Sequence, residues 1–227
     1  MVAPARPLSA TRWRSARWLV IAPHADDETL GAGALIAQAA ADGRLAGVAY
    51  LTDGTASHPH RTSGSRARLK ALRRAEALNA CRILAGRDSR PPIFLDWPDA
   101  GPLTSGTLEH AASVRRLASL CRRAQVDAIA VTAAAEPHCD HAAAHDLAVA
   151  VARAALRPVA VFEYVVWSET APTGPAFLTR PMSPGRRRRA LAAHRSQLTP
   201  AFGDGFRLPA SQRAMAPNDR LYLKVRV

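Results

Sequence analysis

Trp18-Leu19-Val20-Ile21-Ala22 runs directly into Pro23-His24-Ala25-Asp26-Asp27-Glu28, and the reading of the whole chain turns on that junction. Five apolar residues closed by a proline read as a buried strand. The residues that follow open a helical period, so one imidazole and three carboxylates fall on a strand-to-helix turn. Outward from this junction the alternation repeats. Glu28 to Ala41 has helical spacing and stops at Asp42-Gly43. Gly47 to Thr52 predicts a second strand, Asp53 to Ser65 a polar loop, and Arg66 to Ala85 a second helix.

Ile93 to Leu95 predicts a short third strand and Thr107 to Ala124 a third helix. Ala128 to Thr132 and Val159 to Trp167 predict strands four and five, with His141 to Ala155 a helix between them. Beyond Trp167 the proline-rich stretch to Pro184 reads as irregular, followed by a helix near Arg186 to Gln197 and a terminal strand at Leu221 to Val227. Strands alternating with helices specify an α/β fold, a Rossmann-like three-layer sandwich with a mostly parallel central sheet. At 227 residues and 48% hydrophobic, one domain over residues 1–227 is expected. Ligands of open parallel sheets sit at the carboxyl ends of the strands. His24 to Glu28, Asp53 to His60, Asp96 to Asp99 and Glu136 to His145 should therefore converge.

Composition narrows the function. The apolar runs are too short or too interrupted by charge to span a bilayer, and the first one meets His24, Asp26 and Asp27, unlike a signal peptide. A cytoplasmic protein is expected. Cys81, Cys121 and Cys139 are odd in number and form no CxxC pair, which argues against a disulfide framework or a thiolate zinc knuckle. The net charge of +13 suits nucleic acid, anionic membranes or anionic substrates alike. All but two of the 31 basic residues are arginine. The densest run, Arg186 to Arg189, has no interleaved aromatics, which makes a nucleic-acid surface the weaker reading. Oligomeric state is not legible.

The chemistry lies in two clusters. After strand one stand His24, Asp26, Asp27 and Glu28; after strand four stand Glu136-Pro137-His138-Cys139-Asp140-His141. A hydrolytic zinc site needs three protein ligands and an open position, and imidazole plus carboxylate suits it. Zinc is the first choice, although two histidines and a carboxylate also suit ferrous iron or another divalent ion.

His24-Ala25-Asp26-Asp27-Glu28 resembles the HPDDE motif, and His138-Cys139-Asp140-His141 the HPDH motif, of the PIG-L or LmbE-like family of zinc-dependent N-deacetylases. Asp53-Gly54, Arg73-x-x-Glu76, Pro98-Asp99 and Ala190-x-x-x-His194-x-Ser196-Gln197 follow that family's pattern in the same order, over roughly residues 17–200. The resemblance implies that His24, Asp27 and His141 hold the metal, and that Asp26 is the general base toward the water attacking an amide carbonyl. It implies that His138 faces the developing oxyanion and later protonates the leaving amine, while Asp140 orients a histidine. Arg73 and Asp99 would contact substrate, an N-acylated amino sugar or glycoconjugate, with anionic ones favoured by the basic charge. Ala25 and Cys139 stand where the family has proline, which removes no catalytic group.

Plainer readings accompany several residues. Arg73 and Glu76 are also spaced as an i,i+3 ion pair, and Asp99 as a turn residue. Glu28 is either a helix N-terminal carboxylate or a partner of the site. Asp53, His58 and His60 read as a solvated turn before a second metal site, and His145 as packing before ligation. His194 and Gln197 share a helix face that lines the mouth of the site or simply the surface. The competing functions are an amidase for another C–N bond of a sugar conjugate or secondary metabolite, and a basic binding module with a structural metal.

Overall fold

A computed structural model describes residues 4–59 and 62–226 of the chain. Among these, eight strands form one sheet: β1 (Arg6–Pro7), β2 (Trp18–Ala22), β3 (Leu45–Thr52), β4 (Ile93–Trp97), β5 (Ala128–Thr132), β6 (Ala160–Tyr164), β7 (Ala176–Leu178) and β8 (Arg220–Arg226). Their spatial order is β1-β7-β8-β6-β5-β2-β3-β4. Only β8 runs antiparallel to its neighbours β6 and β7. The helices are α1 (Asp27–Ala41), α2 (Ser63–Ala85), α3 (Leu108–Arg123), α4 (Cys139–Ala154), α5 (Arg186–Leu191) and α6 (Arg195–Leu198). None of them is long and apolar enough to cross a membrane.

The period of two along β2 builds the layers. Trp18, Val20 and Ala22 face one way and pack with Leu35 and Ile36 of α1, Ala77 and Leu84 of α2 and Ala190 of α5. Leu19 and Ile21 face the other way and pack with Leu117 of α3 and Leu147 and Val151 of α4. Strands buried on both faces read as continuous apolar runs, which is why β2 and β5 match expectation to the residue.

Three expectations are corrected. The stretch after Trp167 is not wholly irregular, since β7 pairs with both β1 and β8. The helix expected over Arg186 to Gln197 is two helices, broken at His194, whose backbone (φ −82°, ψ 57°) leaves the helical region as its ring turns inward. Strand five ends at Tyr164 rather than Trp167. Val227 of the terminal strand lies outside the described residues.

The chain winds from β2 outward to β3 and β4, then returns to β5 and β6 on the other side of β2. The crossovers part between β2 and β5, where an open sheet presents its ligand crevice at the carboxyl ends. Those ends carry the two clusters.

Gly31 shows how closely α1 lies on the sheet. A Cβ there would fall 2.2 Å from the Tyr164 ring, and that ring is fully buried, with its hydroxyl donating to the Ile21 carbonyl at 2.9 Å. Overpacking of this kind costs ~1–3 kcal/mol, and each kcal/mol lowers the midpoint of a chain this size by about 2–4 °C. Gly31→Ala is therefore expected to melt several degrees below wild type in calorimetry; an unchanged midpoint would mean that α1 can lift off the sheet.

Candidate active site

Asp26 occupies the turn between β2 and α1 with φ 143° and ψ −31°, a conformation that L residues rarely adopt. Such backbone costs ~1–3 kcal/mol and persists only where the surroundings over-determine it. Here they do. The Asp26 N–H donates to Glu28 Oε2 at 2.9 Å, and the preceding carbonyl, that of Ala25, accepts from Arg73 Nη2 at 2.9 Å. Glu28 Oε1 accepts from the Thr29 hydroxyl at 2.6 Å and lies 3.0 Å from His194 Nε2. Arg73 Nη1 also donates to the carbonyl of Gly54, where φ is 68° and an added Cβ would meet the guanidinium at 2.7 Å. Arg73 is thus a buried brace across two loops, and Glu76 is not its ion-pair partner but accepts from the N–H and hydroxyl of Ser196 at 2.8 and 2.6 Å.

Asp27, one residue on, turns its carboxylate to two imidazoles. Its Oδ2 lies 3.2 Å from His24 Nδ1 and 3.3 Å from His141 Nε2. These three donors lie within 4.8 Å of one another and could hold a metal ion. The spacing fits: tetrahedral zinc with bonds of ~2.0–2.1 Å places neighbouring donors about 3.3 Å apart. Both ring nitrogens of His141 are buried without a hydrogen bond of good geometry, Nδ1 facing Glu136 at 3.4 Å and Nε2 facing Asp27 at 3.3 Å, and Nε2 is an atom that a cation would satisfy.

On its other edge, His24 Nε2 lies 3.0 Å from Asp140 Oδ2 and 3.2 Å from Asp99 Oδ1. Asp140 is fully buried and also accepts the Ala100 N–H at 2.9 Å, and the histidine nearest its carboxylate is His24. His138 Nδ1 is 3.8 Å from Asp140 and accepts the Asp140 N–H at 3.2 Å, capping α4. His24, His138 and Asp140 form a second group with donors close enough for a metal. The Asp27 group is the better fit, because His138 Nδ1 is already engaged by that N–H and the His138 side chain is 41% exposed.

The charges follow from the packing. Burial and the neighbouring Asp27 push the Asp26 carboxyl up to about 7, against the pull of Arg73, His194 and His24. Asp27 is held far below the carboxylate range, burial being outweighed by His141 and His24. Burial lowers His24 and His141, but Asp140, Asp27 and Asp99 raise the first well above its ordinary value, and Asp27 and Glu136 raise the second to about 9. His138 is lowered, by burial and then by His24. A cation beside Asp27 would offset that residue's push on Asp26.

These groups open on a cleft of about 560 Å³ that Arg73, Asp99, Trp167, Gln197 and Phe206 help to line, within the range of small-molecule sites. Trp167 and Phe206 meet edge to face at 6.0 Å across it. Asp99 also serves the loop, accepting the Ala56 N–H at 2.8 Å. His145 turns from the cluster to Glu163, 3.3 Å away. His194 is fully buried behind Asp26 and not at the mouth, whereas Gln197 reaches the cleft. Of the turn read as solvated before a second metal site, His60 lies outside the described residues, and among the described residues Asp53 and His58 fall in no metal-suited group. Of the Arg186 to Arg189 run, Arg187 is buried, pairing with Asp219 and donating to the Thr29 and Leu30 carbonyls, and Arg186 donates to the Ile83 carbonyl, while Arg188 and Arg189 are exposed. Phe206, in an irregular segment, carried no sequence signal for its place here, and Glu136, read as part of the second cluster but given no role, stands with its carboxylate 3.4 Å behind His141 Nδ1.

Fold and cluster together define a Rossmann-like α/β domain with a two-histidine, one-carboxylate centre at its topological switch point. The profile of the family described as PIG-L, GlcNAc-PI de-N-acetylase, matches residues 19–152, and the chain belongs to that family. No curated protein matches the sequence. Among solved structures, the zinc-inhibited form of teicoplanin deacetylase Orf2 is similar at a TM-score of 0.64 and 20% identity, over 93% of this chain and 98% of that one. N,N'-diacetylchitobiose deacetylase from Pyrococcus horikoshii is similar at 0.65 and 18%, over 93% and 85%. GalB, a 4-carboxy-2-hydroxymuconate hydratase of Pseudomonas putida KT2440, shares the fold at 0.51 and 18%, over 91% and 94%. The architecture thus carries more than one reaction, and the site must decide among them.

Proposed function

We propose that the protein is a metal-dependent hydrolase that removes an acetyl or other acyl group from an N-acylated amino sugar or glycoconjugate. One observation carries this reading: His24 and His141 converge on Asp27 beside the buried, strained Asp26, in a cleft open to a small molecule. The family's description and the deacetylases among the similar structures support it. A closed four-ligand site would favour a structural metal, and the three donors here open on the cleft instead.

The bound ion, zinc by first choice, with ferrous iron or another divalent metal also suited to these donors, supplies Lewis acidity at the amide carbonyl. Asp26 takes the proton of the attacking water and returns it to the departing amine. His138 is depressed and accepts the Asp140 N–H at Nδ1, so its proton sits on Nε2 and donates to the developing oxyanion. This leaves the leaving amine to Asp26, which already holds a proton. Asp140 and Asp99 orient His24, and Asp99, Arg73 and the Trp167–Phe206 wall border the substrate. Arg73 is the arginine that lines the cleft, and an anionic substrate would meet it there.

The test is a panel of N-acetyl and longer N-acyl amino sugars, free and carried on nucleotide or lipid, incubated with zinc-loaded protein. Equal amounts of free acid and free amine are expected from at least one member. Water addition without release of acid, as a hydratase gives, would overturn the assignment.

A further inference from the structure

We infer that Glu136 is a positioning residue that fixes the tautomer of His141, and that the same carboxylate anchors the aromatic wall of the cleft. Glu136 lies in the loop between β5 and α4, and its carboxylate is fully buried. One edge of it gathers backbone donors: Oε1 accepts the Val166 N–H at 2.7 Å, and Oε2 the Trp167 N–H at 2.9 Å. The Ser168 N–H reaches Oε1 at 3.4 Å. The remaining approach is taken by His141, whose Nδ1 stands 3.4 Å from Oε2. A buried carboxylate offers acceptors only, so a neutral His141 must carry its proton on Nδ1 to face it. Nε2 is then the lone-pair nitrogen, and Nε2 is the atom 3.3 Å from Asp27 in the metal-suited group.

A carboxylate behind a ligating imidazole commonly fixes its orientation and raises its basicity. The group that faces His141 here also carries the main chain of Trp167, one half of the Trp167–Phe206 pair. The metal donor and the substrate wall are referred to one side chain, so their relative placement does not depend on the loop after β6 finding its own position.

Glu136→Gln separates these roles. The amide oxygen can still accept the Val166 and Trp167 N–H groups, which turns its NH2 toward His141 Nδ1. Donor then faces donor unless His141 moves its proton to Nε2, where the ion would sit. The variant is expected to bind Zn2+ about 10- to 100-fold more weakly, the usual loss for such a partner, in competition with a chromogenic chelator. Long-range 15N–1H spectra of the metal-free histidines, taken at a pH high enough for His141 to be neutral, should show His141 protonated on Nδ1 in wild type and on Nε2 in the variant. The wild-type spectrum needs no variant, so a variant that fails to fold leaves the inference testable: an Nε2–H tautomer in wild type overturns it. The inference rests on His141 being a metal ligand, and the outcomes keep the two apart. Zinc bound equally well by wild type and Glu136→Gln, with an unchanged tautomer, overturns the role of Glu136 and leaves the hydrolase reading standing. A wild-type protein that takes no zinc overturns the hydrolase reading, and this inference with it.

Discussion

Asp26→Asn is expected to keep its full metal content and to lose turnover by about 100- to 10,000-fold, the contribution that a general base commonly makes. The substitution preserves shape and changes one capacity, since the amide cannot take a proton from the attacking water. The metal should stay because the carboxylate between the two imidazoles belongs to Asp27. The fold should stay because the constraints on this turn act on its backbone: Glu28 takes the Asp26 N–H and Arg73 the Ala25 carbonyl, and neither contact uses the Asp26 side chain. Asn also tolerates positive φ better than most residues. Turnover and metal content measured on the same preparation decide the point. Equal activity of variant and wild type would remove Asp26 from the chemistry.

The second large effect is loss of the metal itself. His141→Ala and His24→Ala each delete one of three donors, so the loss in zinc affinity should exceed the roughly 100-fold that a supporting partner costs, and activity should go with it. His24→Ala should also lower stability, because His24 lies between the carboxylates of Asp27, Asp99 and Asp140 and would leave them without their shared cation. His145→Ala is the control: it sits on the same helix one turn beyond His141, yet faces Glu163, and it should retain zinc. If the His24 and His141 variants keep wild-type metal content after dialysis against a weak chelator, the ligand assignment is wrong.

The sequence carried the fold wherever the signal was local. β2 and β5 are runs buried on both faces, and their ends are readable because Pro23 follows the first and the β-branched residues of the second give way to alanines after Thr132. The two clusters were legible for the same reason: they fall within a few residues of strand ends, and topology brings such ends together. What escaped depends on distant partners. β1 and β7 are two and three residues long, too short to show a period of two. The break at His194 could not be read from Arg186 to Gln197, because the ring turns toward Glu28, 166 positions away. Arg73 and Glu76 share a helix, yet one braces the Asp26 turn and the other caps Ser196. Asp99 serves the loop, as its turn reading had it, and also neighbours His24, a contact that spacing did not announce.

The claim at the centre is that one divalent ion, held by His24, Asp27 and His141, makes this cleft a hydrolase. The most direct measurement strips the protein with chelator and titrates Zn2+ back while following acid release from a substrate of the N-acyl amino sugar panel. Activity is expected to be absent at the start, to rise linearly and to reach its plateau at about one equivalent per chain, because the two candidate donor sets share His24 and cannot both be filled. Full activity in the stripped protein, or a titration in which zinc binds without any acid being released, would contradict the account.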